Sequence, residues 1–92
     1  MNALLKNWKN LRVLDLNGSL NRELPCKIGE LLHLRYLDLS WNDIKRLPKE
    51  ITKLYNLQIL LLTNCSQLKE LPGDVSKVVK LNVLNIDECD SF

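Results

Sequence analysis

The apolar positions change their spacing halfway through residues 34–56, LRYLDLSWNDIKRLPKEITKLYN. In LRYLDL the leucines recur closely enough to predict a short strand. Leu47, Ile51 and Leu54 are spaced by four and three, as on one face of a helical turn. Pro48 suits the first turn of a helix, where the N–H that proline lacks has no intrahelical partner. The pattern predicts a unit of strand, turn, irregular return segment and short helical turn.

The same unit is repeated along the chain. Leu11, Leu34 and Leu57 each begin a copy and are 23 residues apart, and Leu81 begins a further copy 24 residues later. The strand segments LRVLDL, LRYLDL, LQILLL and LNVLNI share one pattern, and the return segments ELPCKI, RLPKEI and ELPGDV share another. Together they form the signature of a leucine-rich repeat. We therefore predict an α/β leucine-rich-repeat solenoid, with a parallel β-sheet on its concave side and short helical or 3-10 turns on its convex side.

The repeat boundaries predict one leucine-rich-repeat region over residues 1–92. Its expected parts are the tail of a preceding repeat at 1–10, repeats at 11–33, 34–56 and 57–80, and a partial repeat at 81–92. Alignment of the first part with the next repeat places Leu5 and Trp8 in the core, and Phe92 also falls at a core position. Because neither end shows the polar cap of a complete solenoid, we expect an uncapped fragment of a larger protein.

Composition narrows the possible function classes. The formal net charge of +2 is too small to indicate binding to nucleic acid or to an anionic membrane. No run of about 18 apolar residues occurs, so no membrane span is predicted. Without a GxxxxGKS/T loop, a GxGxxG loop or a His/Cys cluster at zinc spacing, we expect no cofactor and no metal. The single histidine, His33, is interpreted as a solvated loop residue, and we do not expect an enzyme.

Cysteine usage indicates a reducing compartment. Cys26, Cys65 and Cys89 are few, odd in number and not clustered at one end. Cys65 and Cys89 fall eight residues after the first leucine of their repeats, as Asn42 does, so we expect both to be small buried residues of the turn. Adjacent repeats would hold these two about 5 Å apart, within disulfide range, but a reducing compartment argues against a bond.

The residues between the strand leucines are expected to point onto the concave face. One predicted row is Val13, Tyr36, Ile59 and Val83. A second row is Asp15, Asp38, Leu61 and Asn85. Asp15 and Asp38 should be side-by-side like charges, with Arg12 and Arg35 near enough in sequence to offset the repulsion.

A large apolar side chain that points outward favours a partner site, because Trp and Tyr are enriched at interface hot spots. Trp41 and Leu61 fit this description, although Trp41 could instead fold back over its turn as local packing. For the β-branched and aromatic strand residues, the alternative is that they simply suit a pleated surface. The candidate partner-binding residues are Asp15, Tyr36, Asp38, Trp41, Ile59, Leu61 and Asn85.

The opposite side of the predicted solenoid is basic. The residues expected there are Lys27, Lys45, Arg46, Lys49, Lys53, Lys69, Lys77 and Lys80. A solvated polar face is the simpler interpretation. Docking to an acidic partner domain is the alternative.

Several phrases are more specific than the repeat pattern itself. LRVLDL, ELPCKIGELLHLRYLDLSWNDIKRLP and LYNLQILLLTNCSQLKELP closely resemble the repeat domains of plant nucleotide-binding leucine-rich-repeat disease-resistance proteins, above all those with an N-terminal coiled coil. The similarity extends from Leu4 onward. It implies a cytoplasmic immune receptor whose repeats recognise a pathogen effector or a guarded host protein and hold the receptor's nucleotide-binding switch inactive.

Two other functions are compatible with the residues. Animal scaffold proteins that bind small GTPases share the LPxxI element, so an intracellular scaffold for a signalling GTPase or phosphatase is the alternative. An enzyme that carries repeats as its substrate-binding arm would need a catalytic domain encoded elsewhere. Since recognition residues vary between members of the resembling family, none is carried over by motif, and the candidate residues rest on the concave rows alone.

Overall fold

The computed structural model describes residues 9–19, 22–73 and 83–89. Within these ranges the chain forms strands β1 (Val13–Asp15), β2 (Tyr36–Asp38), β3 (Ile59–Leu61) and β4 (Val83–Asn85). Two short 3-10 helices, η1 (Cys26–Glu30) and η2 (Lys49–Lys53), follow β1 and β2. The predicted solenoid of parallel strands and short 3-10 turns is therefore confirmed.

The strands form one parallel sheet in the order β1-β2-β3-β4. Their central leucines are paired in register, Leu14 with Leu37, Leu37 with Leu60 and Leu60 with Leu84. The first three of these leucines are buried. Because successive strand residues point to opposite faces, the residues on either side of each leucine face the concave side.

Proline introduces each 3-10 helix. Pro25 and Pro48 lie directly before η1 and η2, and both have a φ of −66°, which the pyrrolidine ring favours. Ile28 and Ile51 lie within these helices and are almost completely buried. The short helices turn one apolar side chain per repeat into the core, as the spacing of the apolar residues predicts.

The core is a continuous row of aliphatic side chains shared between repeats. Its members come from the strands, the return segments and the 3-10 turns, so each repeat covers the apolar side of its neighbour. The buried residues are Leu14, Leu24, Ile28, Leu31, Leu34, Leu37, Leu39, Ile44, Leu47, Ile51, Leu54, Leu57, Leu60, Leu62, Cys65, Leu68 and Cys89.

A buried asparagine joins two repeats at the turn after β2. The Asn42 side-chain amide donates to the carbonyl oxygens of Leu39 and Ser40 at 2.7 and 3.1 Å. The same amide nitrogen donates to the Leu16 carbonyl of the preceding repeat at 3.0 Å. Asn42 therefore adds a side-chain donor to carbonyl groups of two adjacent repeats, beside the N–H groups of Gly18 and Ser19 that donate to the Ser40 and Leu16 carbonyls.

Cysteines occupy the same position in the next two repeats. The Cys65 thiol donates to the Leu39 carbonyl at 3.1 Å, and the Cys89 thiol donates to the Leu62 carbonyl at 3.0 Å. Neither cysteine forms a disulfide and both are buried, as their expected place in the turn requires. Burial raises the pKa of the Cys65 thiol above its ordinary value of 9.0.

The third repeat accommodates its extra residue in a turn at Ser66 and Gln67. The Leu68 N–H donates to the Cys65 carbonyl at 2.9 Å, and Leu68 then reaches the core position that Ile44 holds one repeat earlier. Some expectations, the core positions of Leu5, Trp8 and Phe92 and the places of Lys77 and Lys80, lie outside the described residues.

We expect Gly29→Ala to destabilise the protein by about 1–3 kcal/mol, as overpacking does. A Cβ atom at Gly29 would lie 2.9 Å from the Glu50 carbonyl oxygen, because η1 and η2 stack closely. Gly73→Ala is the matched control, since a Cβ there meets nothing within 4 Å. Urea unfolding measures both variants, and an unchanged midpoint for Gly29→Ala would contradict the close stacking.

Thiol accessibility tests the buried cysteine positions. Brief treatment of the native protein with iodoacetamide should modify exposed Cys26, while Cys65 and Cys89 should react only after denaturation. Peptide mass spectrometry measures each site, and equal rates at Cys26 and Cys65 would refute the burial.

Because the folded-state pKa of Cys65 is raised, its contribution to the free energy of unfolding is complete below pH 9.0 and is lost as the pH rises through the raised value.

Candidate functional site on the concave face

An apolar band crosses the sheet on the concave face. Val13, Tyr36, Ile59 and Val83 are register partners on successive strands. With a strand spacing of about 4.8 Å, the band extends over about 14 Å. Val13 and Val83 are exposed, and Tyr36 and Ile59 are half-buried. The first row predicted from the sequence is thus a continuous surface.

Trp41 lies just past β2 with 56% of its surface exposed. This exposure favours a partner site over local packing of the indole. Its backbone is left-handed, with a φ of 60°. The equivalent residue one repeat earlier is Gly18, with a φ of 68°. Glycine adopts this conformation freely, whereas an L-residue with a Cβ bears a cost of about 1–2 kcal/mol.

The predicted pair of carboxylates is present but serves the turns. Asp15 and Asp38 are register partners, as expected. The Oδ1 atom of each accepts a hydrogen bond of 2.9 Å from the backbone N–H two residues later, Asn17 for Asp15 and Ser40 for Asp38. Asp38 is only 6% exposed. Its carboxylate is therefore engaged within the protein.

A neutral amide, and not an arginine, accompanies the second carboxylate. The Asn17 side-chain amide donates to Asp38 Oδ2 at 3.2 Å. Among the described residues neither Arg12 nor Arg35 forms an ion pair with Asp15 or Asp38. The described polar partner of Asp38 Oδ2 is thus the neutral Asn17 amide, and an offset by the arginines would have to act without a direct ion pair.

The other two residues of the second row differ from each other. Asn85 Oδ1 accepts from the Asp87 N–H at 2.9 Å and from the Thr63 hydroxyl at 3.0 Å. Leu61 offers no acceptor, and the Thr63 N–H donates instead to the Ser40 hydroxyl at 3.0 Å. Asn85 and Leu61 are both half-buried.

Sequence reasoning missed the structural role of Asn17 and Ser40. The available signal was an Asp or Asn at the end of a strand followed two residues later by a turn residue, which is the spacing of an Asx turn. Once these turn contacts are assigned, the candidate residues whose side chains are not used in turns are Tyr36, Trp41, Ile59 and Leu61.

The concave face offers apolar and aromatic side chains to solvent. Among residues 9–19, 22–73 and 83–89, no group of three or more His, Cys, Asp or Glu side chains could hold a metal ion. In the same ranges no helix has the length and apolar character needed to cross a membrane. The fold and this surface define a leucine-rich-repeat module with a partly apolar concave face.

Comparison with known proteins gives the family. The chain matches the model of a leucine-rich repeat region over residues 1–92, and it belongs to that family. This region matches plant disease resistance proteins and is a non-catalytic module of them. The match supports the resemblance drawn from the sequence.

Individual relatives cover only part of the chain. A putative disease resistance protein of Arabidopsis thaliana is 46% identical over 68 residues, which is 74% of this chain and 5% of that protein. A putative disease resistance protein of Solanum bulbocastanum, RGA1, is 55% identical over 40 residues, 44% of this chain and 4% of that protein. A leucine-rich-repeat protein of Leptospira interrogans is 24% identical with a TM-score of 0.42, covering 95% of this chain and 34% of that one.

We expect Asp38→Ala to lower the free energy of unfolding by about 1–3 kcal/mol, because it leaves a buried N–H and an amide without their acceptor. Asp15→Ala removes the same Asp–Asp repulsion but only an exposed hydrogen bond, and should cost less than about 1 kcal/mol. Chemical denaturation of the two variants isolates the difference. Equal losses would contradict a structural role specific to Asp38.

Proposed function

We propose that the concave face of these repeats is the protein-recognition surface of an intracellular plant immune receptor. Its partner is a pathogen effector or a guarded host protein. In the resting receptor, the same repeat region also helps to restrain the nucleotide-binding switch. The contact residues of the proposal are Asp15, Tyr36, Asp38, Trp41, Ile59, Leu61 and Asn85, with the apolar members supplying most of the binding energy.

The observation that carries this proposal is the exposed Trp41 in a left-handed turn. The left-handed backbone is common to Gly18, Trp41, Asn64 and Glu88 and is therefore a property of the repeat. The exposed indole, in contrast, is specific to Trp41. Exposed tryptophan and tyrosine side chains are also the residues most enriched at interface hot spots.

The apolar band of the sheet extends the contact surface that Trp41 would offer to a partner. Tyr36 and Ile59 are half-buried and lie in register on neighbouring strands, so little side-chain freedom remains to be lost on binding. Leu61 lies beside this band at the end of β3. An aromatic residue next to a rigid aliphatic surface is the usual composition of an interface core.

The comparisons support the biological setting. The relatives are disease resistance proteins by name, and this chain spans only 4–5% of the length of the two described above. The activity of a whole receptor therefore belongs to a much longer chain. The repeat region contributes effector recognition and restraint of the switch to that activity. The receptor acts inside the cell.

We expect Trp41→Ala, placed in the full receptor, to weaken partner binding by about 2 kcal/mol or more. Binding to a panel of purified pathogen effectors and host proteins is measured first with the unaltered receptor, which selects the partner. Tyr55→Ala is the matched control, because Tyr55 is 60% exposed but lies in the turn before β3, outside the concave band. It should leave binding unchanged.

Stability measured in parallel separates recognition from packing. Trp41→Ala should leave the free energy of unfolding almost unchanged, and a loss above about 2 kcal/mol would identify Trp41 as a packing residue. Ile59→Asp provides a second disruption of the band that does not depend on Trp41. If the partner binds both variants as tightly as the unaltered receptor, the concave face is not the recognition surface.

A further inference from the structure

A second surface lies on the flank of the solenoid, away from the strands. It is a groove of about 910 Å³ between the concave turns and the 3-10 helices, and three successive repeats contribute to it. The groove is lined by Arg22, Glu23, Leu24, Asp43, Lys45, Arg46, Leu47, Pro48, Gln67 and Lys69. Its volume lies within the range of about 300–1,000 Å³ that is typical of ligand sites.

The return segments beside the groove are hydrogen-bonded to each other in one pair of repeats but not, among the described residues, in the other. Between the second and third repeats, the Lys69 N–H donates to the Lys45 carbonyl at 2.9 Å, and Arg46 and Glu70 form a parallel β-bridge. Between the first and second repeats, the described residues 22–24 make no such bond to residues 45–47. Described residues 22–24 are thus not joined to residues 45–47 by a backbone hydrogen bond, although η1 and η2 stack closely further along the chain, and the groove lies along this junction.

Basic side chains outnumber acidic ones in the groove. Four lining residues are Arg or Lys, and two are Asp or Glu. Arg46 forms an ion pair with Glu70 at 3.6 Å, but the two side chains are 73% and 65% exposed, so an incoming carboxylate can replace Glu70. Among the described residues, Arg22, Lys45 and Lys69 form no ion pair. These three are available to a ligand.

Apolar residues lie beneath the charged rim. Leu24 and Leu47 are almost completely buried core residues whose edges reach the groove, and Pro48 is half-buried beside them. Such a surface favours a ligand with both carboxylates and aliphatic groups. The groove crosses two repeat spacings of about 4.8 Å, so cations of three repeats flank about 10 Å of its length.

We propose that this groove binds a short, extended, acidic segment of a protein partner, independently of the concave face. Carboxylates of the segment pair with Arg22, Lys45 and Lys69 on the three repeats, and an intervening aliphatic side chain contacts Leu47 and Pro48. Charge complementarity of this kind selects the partner and accelerates its association. It also makes the interaction sensitive to salt.

Charge reversal in the groove tests this assignment. The probe is a short synthetic peptide in which Asp and Glu alternate with Leu, and fluorescence anisotropy measures its binding to the purified protein. Lys45→Glu and Lys69→Glu should each weaken binding by about tenfold or more, because each leaves a carboxylate facing like charge. Lys53→Glu is the matched control, since Lys53 is exposed on η2 and does not line the groove.

A reciprocal exchange makes the test specific. The double variant Lys45→Glu, Lys69→Glu should prefer a peptide in which Lys replaces Asp and Glu. Trp41→Ala should not change binding of the acidic peptide, which keeps the result separate from the fate of the concave surface. Two results would overturn the proposal: Lys53→Glu weakens peptide binding as much as the groove variants do, or heparin binds as tightly as the peptide. Either result would show that the protein attracts polyanions in general.

Discussion

The hydrogen bond from each turn to the repeat before it is the contact on which the solenoid depends. Every repeat reverses direction after its strand, and this turn would bury carbonyl groups that no strand partner reaches. Asn42 donates to the Leu16 carbonyl, Cys65 to the Leu39 carbonyl and Cys89 to the Leu62 carbonyl. These three bonds join the turns of consecutive repeats, beside the parallel strand ladder that joins their strands.

A turn held in this way determines which side chains are available for recognition. The residue directly before this turn position, which is occupied by Ser19, Asn42, Cys65 or Cys89, is left-handed in each repeat. These residues are Gly18, Trp41, Asn64 and Glu88, with φ between 60° and 68°. The backbone at this place is thus set by the ladder and not by the residue itself. Side-chain identity is consequently free to vary there, and a large aromatic residue at Trp41 changes the surface without changing the fold.

The sequence predicted the framework well because that framework is periodic. Leucine spacing specified the strands and their register, and the Pro48 position specified where a short helix begins. The roles of polar turn residues were less predictable. The sequence alone does not distinguish an aspartate whose carboxylate is solvated from one, such as Asp38, whose carboxylate accepts a hydrogen bond from a backbone N–H. The flank groove could not be anticipated either, because it depends on a backbone hydrogen bond and a β-bridge that join residues 45–46 to 69–70 and have no equivalent between the described residues 22–24 and 45–47.

The concave face and the flank groove would contribute to partner recognition in different ways. Apolar contact on a rigid sheet supplies affinity, but it discriminates poorly between partners of similar shape. Charges in a groove add less net affinity, because exposed cations remain hydrated, yet they reject partners of the wrong sign and guide association. A partner that engages both surfaces would have to present an apolar patch and an acidic segment at a fixed separation. That requirement is more selective than either contact alone, and a module of few repeats can meet it because the ladder holds both surfaces on one rigid scaffold.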